Sequence, residues 1–333
     1  MQANVSTEAL DELDLMLIKE MELDGRMTYL ELAKKVGTSD TTVRRRITSL
    51  LNSGTIHLSI MTNSDYLGYG IPIYIAVKAR QGEVDTMAKH LSSFQNVQNI
   101  ISTSGRYDVI MAANFKDVEE LHQFITNEIG IKLKVTSVES MLPLSLVKRA
   151  LPRLGDDPSN ETNIFPNKNS NYIFDEFDLS LIRELKISPR ESSTKLAKTL
   201  GANRFGVSRR LQKLKDMGLL KVFCHTDPGK LGYTFQVVIL IRVDPSQTPS
   251  VATALAGYDQ IRYVAIITGR FDIIVWAWFQ SSQDMTDFMQ RQLSSIPGVL
   301  SHETLIGVGI LKFFGSDKVA GFDRFGSFEQ KRT

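Results

Sequence analysis

Residues 37–54 (GTSDTTVRRRITSLLNSG) and 201–218 (GANRFGVSRRLQKLKDMG) decide how this chain folds. Each stretch begins at a glycine turn, continues for about four helical turns with apolar residues at helical spacing, and ends at a glycine. The apolar residues are Val43, Ile47, Leu50 and Leu51 in the first stretch and Val207, Leu211 and Leu214 in the second. A further helix is predicted before each glycine turn, at 28–36 and 193–200. Helix, short turn and helix make the helix-turn-helix motif, whose later helix enters the major groove of DNA.

Both stretches belong to one long internal repeat. Asp14 aligns with Asp178 (178 − 14 = 164), and Gly105 aligns with Gly269 (269 − 105 = 164). The Leu-Gly-Tyr sequence at 67–69 returns at the same offset, at 231–233. Because solenoid repeats span about 20–50 residues, a period this long indicates duplication of a unit with several elements.

Charge is concentrated on the two recognition helices. The whole chain of 333 residues has a formal net charge of only +2, from 39 Lys and Arg against 37 Asp and Glu. Residues 37–54 nevertheless carry three arginines and one aspartate, and residues 201–218 carry five basic residues and one aspartate. Double-stranded DNA is therefore the partner that the sequence predicts.

Three features predict a cytoplasmic protein without a membrane partner. Cys224 is the single cysteine, which excludes an intrachain disulfide. The N-terminal sequence MQANVSTEALDELD lacks the basic then apolar layout of a signal peptide. No apolar run reaches the roughly 18 residues of a membrane-spanning helix.

The remaining elements predict an α+β fold. An amphipathic helix begins each repeat, and the short apolar strand after each recognition helix, at 55–61 or 219–224, is of the kind that forms a wing. Strand, helix, strand, strand, helix and strand follow, which is the ferredoxin-like βαββαβ order. We therefore predict two winged helix-turn-helix domains, each followed by a ferredoxin-like domain. The predicted boundaries are 8–62 and 173–226 for the helix-turn-helix domains, 66–146 and 230–315 for the ferredoxin-like domains, 147–172 for a linker and 316–333 for a tail.

Strands of the second repeat are apolar on both faces, whereas the two helices of such a domain cover only one. The residues that need another cover are Val237, Ile239, Trp276 and Trp278 on one parity, or Val238, Leu240, Val275 and Ala277 on the other. The sheet of the other repeat, or that of another chain, would supply it. The linker is long enough to allow pairing within the chain, so we expect an intrachain pseudo-dimer, with exchange between two chains as the competing arrangement.

Polar positions off the apolar stripes are the candidate DNA contacts. Arginine can bind guanine through two hydrogen bonds and asparagine can bind adenine, while serine and threonine suit phosphates and bases. A solvated charged face, or a helix-turn-helix used for protein contact, is the alternative. Gly206, inside the second helix, permits either close approach of DNA or helix packing. The candidate residues are Thr41, Thr42, Arg44, Arg45, Arg46, Ser49, Asn203, Arg204, Ser208, Arg209, Arg210 and Lys213.

A helix-turn-helix, a Leu-Gly-Tyr sequence and a βαββαβ domain with a Gly-Arg-aromatic-Asp turn together resemble the Lrp/AsnC (leucine-responsive/asparagine) family of transcription regulators. The resemblance covers about 10–141 and again 174–313. It implies a ligand-responsive regulator whose effector domains bind a small molecule, often an amino acid, between paired sheets, and associate further into homo-oligomers. The duplication is a departure, because usual members carry one unit per chain.

By motif position, the resemblance places the effector site at two turns. An aspartate there could hold an ammonium group, and the turn N–H groups with arginine a carboxylate. The alternative is a plain hairpin turn. The first repeat also lacks the Pro-Gly found at 297–298, which weakens its site. The effector residues are Ser104, Gly105, Arg106, Tyr107, Asp108, Thr268, Gly269, Arg270, Phe271 and Asp272.

Signals for an enzyme are poor, so we predict no catalytic residues, metal or cofactor. None of the five histidines is duplicated at the offset of 164, and neither a metal-ligand cluster nor a P-loop is found. The same layout also resembles siroheme decarboxylases, tetrapyrrole enzymes built on the Lrp/AsnC fold. That alternative predicts histidines and arginines in the effector-domain cleft and a wing unfit for DNA.

Overall fold

A computed structural model of the chain describes residues 10–62, 70–149 and 172–312. The first Leu-Gly-Tyr sequence, the predicted tail and all but the ends of the predicted linker lie outside these ranges. Within them, no helix combines the length and apolar character that crossing a membrane requires.

The first helix-turn-helix unit contains three helices and a strand. Thr28 caps the middle helix, because its hydroxyl accepts the Glu31 N–H at 3.2 Å while the Glu31 carboxylate accepts the Thr28 N–H at 2.9 Å. Gly37, with φ of +70°, ends that helix and makes the turn. The elements are α1 (Glu12–Leu23), α2 (Tyr29–Val36), α3 (Asp40–Asn52) and β1 (Ile56–Thr62).

The first ferredoxin-like unit has the predicted βαββαβ order and one strand more. Its second helix, α5, continues as a π-helical segment at Phe124–Ile131. The sixth strand pairs with the other repeat, so residues 147–149 belong to the sheet rather than to the linker. The elements are β2 (Ile71–Ala79), α4 (Val84–Ser92), β3 (Val97–Ser104), β4 (Val109–Phe115), α5 (Val118–Gln123), β5 (Val135–Met141) and β6 (Pro143–Arg149).

The second repeat has the same order of elements. Three helices precede a strand, and a further βαββαβ unit follows. Its last strand is continuous where the first repeat has β5 and β6. The elements are α6 (Glu176–Ile187), α7 (Ser193–Thr199), α8 (Arg204–Asp216), β7 (Leu220–Thr226), β8 (Phe235–Val243), α9 (Thr248–Ala256), β9 (Ile261–Ile267), β10 (Ile273–Phe279), α10 (Ser282–Asp287) and β11 (Val299–Lys312).

Strands β1 and β7 pair with each other, not with a hairpin partner of their own. They run antiparallel in a two-stranded sheet, with His57 opposite His225. Each strand also crosses to the other repeat: Ile60 is buried in the core of the second three-helix unit, and Cys224 in the core of the first. The prediction of wings is therefore wrong for these two strands. We call α1–α3, α6–α8, β1 and β7 together the helix-turn-helix body.

The two ferredoxin-like units share one antiparallel sheet of nine strands, in the order β5-β2-β4-β3-β11-β8-β10-β9-β6. The distal part of β11 pairs with β3 of the first repeat, and β6 pairs with β9 of the second. Each repeat thus lends its last strand to the other. The predicted pairing within one chain is present in this structure.

Apolar faces of the two repeats also pack on each other. One buried cluster joins Tyr74 and Ile110 of the first repeat to Val238, Leu240 and Ile274 of the second. Neither of the two groups of residues predicted to need another cover is correct, because each group contains residues from both faces of the sheet. The register places Val238 opposite Trp276 and Leu240 opposite Ile274, whereas residues such as Val237 and Val275 face the helices.

Candidate DNA interface and effector site

Helix α3 presents one apolar and one polar face. Val43, Ile47 and Leu50 are buried in the core of the first unit. Ser39 caps the helix by accepting the Thr42 N–H at 3.1 Å, so Thr42 lies half-buried beside the cap. The predicted contacts that are exposed on this helix are Thr41, Arg44, Arg45 and Ser49.

Arg46 points to α1 instead of solvent. Its guanidinium forms ion pairs with Asp11 at 2.7 Å and Asp14 at 3.1 Å. The Asp14 N–H and then the charge of Arg46 lower the pKa of the Asp11 carboxyl, whereas burial raises that of Asp14. Arg46 therefore fastens the recognition helix to the first helix of its own unit.

Arg210 has the equivalent place in the second repeat (210 − 46 = 164). It forms an ion pair with the buried Asp178 at 3.2 Å and another with Asp175, and it donates to the Tyr172 hydroxyl at 2.8 Å. The interpretation of Arg46 and Arg210 as DNA contacts is corrected by these partners: both arginines hold helices together.

Helix α8 presents a different surface from α3. Asn203, a predicted base contact, is the N-cap of this helix. Its side-chain oxygen accepts the Phe205 N–H at 2.8 Å and is therefore already engaged. Phe205 itself is 80% exposed, a feature that the sequence reasoning missed. A Cβ atom at Gly206 would have no neighbour within 4 Å, so this glycine is not needed for helix packing. The predicted contacts exposed on this helix are Asn203, Arg204, Ser208, Arg209 and Lys213.

Two arginines at the repeat offset join the two three-helix units (190 − 26 = 164). Arg26 donates to the carbonyls of Pro189 at 3.2 Å and Glu191 at 2.8 Å. Arg190 donates in return to the carbonyls of Gly25 at 3.2 Å and Met27 at 2.6 Å. We call this exchange the arginine clasp. Equal residue types at the repeat offset could have drawn attention to it, but nothing in the sequence places the two loops together.

The clasp also reaches a candidate DNA contact. The Arg190 guanidinium lies over the Tyr29 ring, 4.7 Å from its centroid, and the Arg44 guanidinium lies 5.0 Å from the same centroid. A further ion pair, Lys215 with Asp24 at 2.8 Å, spans the two units. Both recognition helices are therefore parts of one body.

Aspartates of the two predicted effector turns bind the ends of neighbouring strands. Asp108 accepts the Ala79 N–H at 2.9 Å and pairs with the Lys78 ammonium at 2.8 Å. Asp272 accepts the N–H of Val243 at 2.9 Å, the counterpart of Ala79. Because this bond is repeated, each carboxylate has a structural role, and that of Asp108 already holds a cation.

Both turns lie at the boundary between the repeats. Arg106 forms an ion pair with Glu303, with one N–O distance of 2.7 Å, and the Tyr107 hydroxyl donates to Glu139. In the second turn, the Thr268 N–H donates to the Leu142 carbonyl at 2.9 Å. Ser104, Gly105 and Arg106 are exposed like Thr268, Gly269 and Arg270, while Tyr107 and Phe271 are buried.

Phe271 cannot donate the bond that Tyr107 makes, and this distinguishes the two turns. Glu139 lies beside the second turn, about 4.0 Å from where a Cβ of Gly269 would stand. Its Oε1 atom is buried and has no hydrogen-bond partner in the part of the chain that the structure describes. A buried carboxylate oxygen of this kind can accept an ammonium group.

The described residues contain no group of three or more His, Cys, Asp or Glu side chains that could hold a metal ion. His57 and His225 stack with ring centroids 5.4 Å apart where β1 meets β7. Burial, and secondarily the charge of His57, lowers the pKa of His225 to about 3. His225 is therefore a neutral core residue.

Comparison with known proteins identifies the family. The AsnC-type helix-turn-helix domain matches residues 10–51, and the Lrp/AsnC ligand binding domain matches residues 73–152 and again 236–313. The chain is 32% identical over 134 residues to an uncharacterized HTH-type transcriptional regulator, PH0140, of Pyrococcus horikoshii, covering 39% of this chain and 85% of that protein. It is 30% identical over 141 residues to the HTH-type transcriptional regulator FL11 of Pyrococcus abyssi, covering 42% of this chain and 93% of the relative. The chain belongs to the Lrp/AsnC family.

A solved structure resembles the chain over nearly its whole length. The siroheme decarboxylase NirDL aligns with a TM-score of 0.63 at 13% identity, covering 95% of this chain and 97% of that one. At this identity the similarity concerns the fold alone. The helix-turn-helix family match covers the first repeat, whereas the ligand-binding match covers both.

Proposed function

We propose that this chain is a sequence-specific DNA-binding transcription regulator in which one polypeptide supplies both reading helices. The observation that carries the proposal is the helix-turn-helix body itself. It presents the exposed polar faces of α3 and α8 on units joined by the β1–β7 pairing and the arginine clasp. Helices so joined suit two neighbouring half-sites, about 34 Å apart for successive major grooves.

The two half-sites should differ in sequence. Helix α3 offers Arg44 and Arg45, whereas α8 offers the exposed Phe205 and Arg209. Phe205 suits apolar contact with a thymine methyl group, and arginine suits guanine. The operator is therefore asymmetric, unlike the palindrome expected of two identical subunits.

The effector that we propose is an amino acid, bound at the second turn. Glu139 supplies a buried carboxylate oxygen for the ammonium group, and the exposed turn around Gly269 supplies N–H donors for the carboxylate, with Arg270 beside it. The first turn is the weaker candidate, because Arg106 is hydrogen-bonded to Glu303 at 2.7 Å, whereas Arg270 lies 3.7 Å from the same carboxylate.

The experiment is to incubate the full chain with fragmented genomic DNA at moderate salt and to sequence what it retains. A motif with two unlike parts supports the proposal, and an Arg45→Ala, Arg209→Ala double variant should retain little. Isothermal titration with each of the twenty amino acids tests the effector, with Glu139→Gln as the matched variant. Failure to retain any sequence, even at low salt, contradicts DNA binding.

The competing function is a tetrapyrrole enzyme. The full-length similarity to NirDL motivates it, but that similarity concerns the fold. The recess between the ferredoxin-like units is lined by Arg149 and Arg262, as this alternative predicts, and β1 and β7 do not form wings. None of the histidines in the described ranges lines the recess, however, and its volume of about 50 Å³ is small for a tetrapyrrole. Loss of DNA binding together with uptake of a tetrapyrrole, seen as a visible absorption band, would favour the enzyme.

A further inference from the structure

The recess lies between the two ferredoxin-like units, away from the second effector turn. Trp276 and Trp278 of β10 line it with Arg262 of β9, and β3 of the first repeat contributes Asn99. Arg262 precedes Thr268 by six residues (268 − 262 = 6). Six residues of extended strand span about 20 Å, so this recess is separate from the second turn.

The residues that line the recess differ from the residues at the equivalent position of the duplicated fold. Val238 and Asn99 line the recess. At the equivalent position of the duplicated fold, their counterparts Tyr74 and Tyr263 fill the space, and their hydroxyl groups are hydrogen-bonded to each other. Smaller side chains thus leave space at this position. The counterparts of Trp276, Trp278 and Arg262 at the offset of 164 are Ala112, Asn114 and Gln98. The aromatic and cationic walls are therefore not a requirement of the sheet itself.

The chemistry of the lining favours an anion with a flat apolar part. Arg149, Arg262 and Lys312 line the recess, and the described lining includes no acidic side chain. The Lys312 ammonium donates to the carbonyls of Ser92 at 3.1 Å and Phe94 at 2.8 Å, so the arginines are the cations that face a ligand. The Arg262 guanidinium lies over Trp278, 5.6 Å from the ring centroid, and donates to the Tyr233 hydroxyl at 2.8 Å. A flat ring can stack on such indole and guanidinium groups.

Trp276 offers a second recognition group. Its indole Nε1 is buried and has no hydrogen-bond partner among the residues that the structure describes. A buried donor without an acceptor costs free energy, which a ligand oxygen would recover. Arg262 and the Trp276 N–H together match the two oxygens of a carboxylate.

The size of the recess restricts the ligand further. Its volume is about 50 Å³, and it is partly open to solvent. An apolar cavity that encloses benzene has roughly 150 Å³, so a ligand must be small and only partly enclosed. A carboxylate inside, with one ring at the mouth, fits this description.

We propose that the recess between the repeats, lined by Trp276, Trp278 and Arg262, binds a small single-ring aromatic carboxylate. The site is distinct from the amino-acid site at the second turn, and it does not depend on DNA binding. The two proposed sites are therefore separate places on the paired effector domains.

Tryptophan fluorescence of the full chain tests the proposal directly, because both of its two tryptophans line the recess. The probe is benzoate, with neutral benzamide as its uncharged analogue and acetate as the anion without a ring. We expect saturable quenching by benzoate, and binding of benzamide and acetate weaker by about tenfold or more. The Arg262→Gln variant should lose benzoate affinity by a similar factor, while Gln98→Ala, at the counterpart position, should leave it unchanged.

Two measurements keep the test decisive. The Trp278→Phe chain retains Trp276 as the single reporter, and its emission should still respond saturably to benzoate. Thermal unfolding of Arg262→Gln distinguishes lost binding from lost folding. Quenching that rises linearly without saturation, equal binding of benzoate and benzamide, or unchanged affinity in a folded Arg262→Gln chain would each overturn the proposal.

Discussion

The arginine clasp should make a large contribution to the stability of the helix-turn-helix body. Arg26 and Arg190 each donate two hydrogen bonds to carbonyl groups of the other unit, at 2.6–3.2 Å. Hydrogen bonds from charged groups contribute about 1.5–3 kcal/mol each, and partial exposure favours the lower end. Arg26→Met or Arg190→Met, which keeps most of the apolar stem, should therefore lower the free energy of unfolding by about 3 kcal/mol.

Two spectroscopic signals can separate this body from the rest of the chain. Both tryptophans lie on β10 in the ferredoxin-like half, so their fluorescence reports the unfolding of that half alone. Far-UV circular dichroism is more sensitive to the helices of the helix-turn-helix body. In urea, Arg26→Met should shift the circular dichroism transition to lower denaturant and leave the fluorescence transition nearly unchanged.

A matched control is Arg183→Met, since Arg183 is an exposed arginine on α6. We expect a change within about 0.5 kcal/mol for it. If Arg26→Met changed the free energy of unfolding by no more than this control, the clasp would be a surface contact that does not stabilise the helix-turn-helix body. Equal shifts of both signals would instead show that the two halves unfold together.

Three further predictions concern single residues. Arg45→Ala should weaken DNA binding and reduce the salt slope by about one while leaving stability unchanged, whereas Arg46→Ala should chiefly lower the urea midpoint; the reverse pattern would contradict the assignment. Burial lowers the pKa of His225 to about 3 in the folded chain, whereas an unfolded histidine has a pKa of about 6.5. The unfolded chain therefore binds a proton at a higher pH than the folded chain does, and the free energy of unfolding falls by about 2 kcal/mol between pH 7 and pH 5. His225→Phe should remove this pH dependence in urea titrations. Gly25→Ala would bring a Cβ to 3.0 Å from the main chain of Phe223 where the two units meet, so it should cost about 1–3 kcal/mol in the same assay, and an unchanged midpoint would contradict that close packing.

In the recognition helices, the spacing of apolar residues predicts most of the buried positions but not the role of Arg46. The helical spacing of apolar residues predicted the buried face of α3: Val43, Ile47 and Leu50 are buried, and Leu51 is half-buried. Residue type groups Arg46 with the polar DNA-facing positions, but it lies three residues after Val43 and four before Leu50, on the same face of the helix. A long cationic side chain at such a position reaches a carboxylate on a neighbouring helix, here Asp14.

Pairing between strands was less accessible from the sequence. A short apolar run predicts a strand, but it does not identify the partner, so β1 was interpreted as a wing when it pairs with β7. The doubly apolar strands did predict a cover from the other repeat, and the cluster containing Tyr74 and Leu240 provides it. The parity failed because the register between β8 and β10 depends on the turn and on tertiary contacts.

The effector turns were found by motif, but their geometry was not. Asp108 was expected to be available to an ammonium group, whereas Lys78 and the Ala79 N–H occupy it. Glu139 was missed because it approaches the second turn from the other repeat, 130 residues earlier in the chain (269 − 139 = 130). Contacts between repeats of this kind depend on the assembled sheet.

A hydroxyl-radical footprint of the full chain, on a DNA fragment recovered by retention, shows whether one chain reads two different half-sites. We predict protection around two adjacent major grooves, one helical turn apart, with unlike sequences, and loss of protection at one of them in Arg209→Ala. Protection of a single groove, or of a palindrome that Arg209→Ala weakens equally on both sides, would contradict the claim that one chain reads two different half-sites.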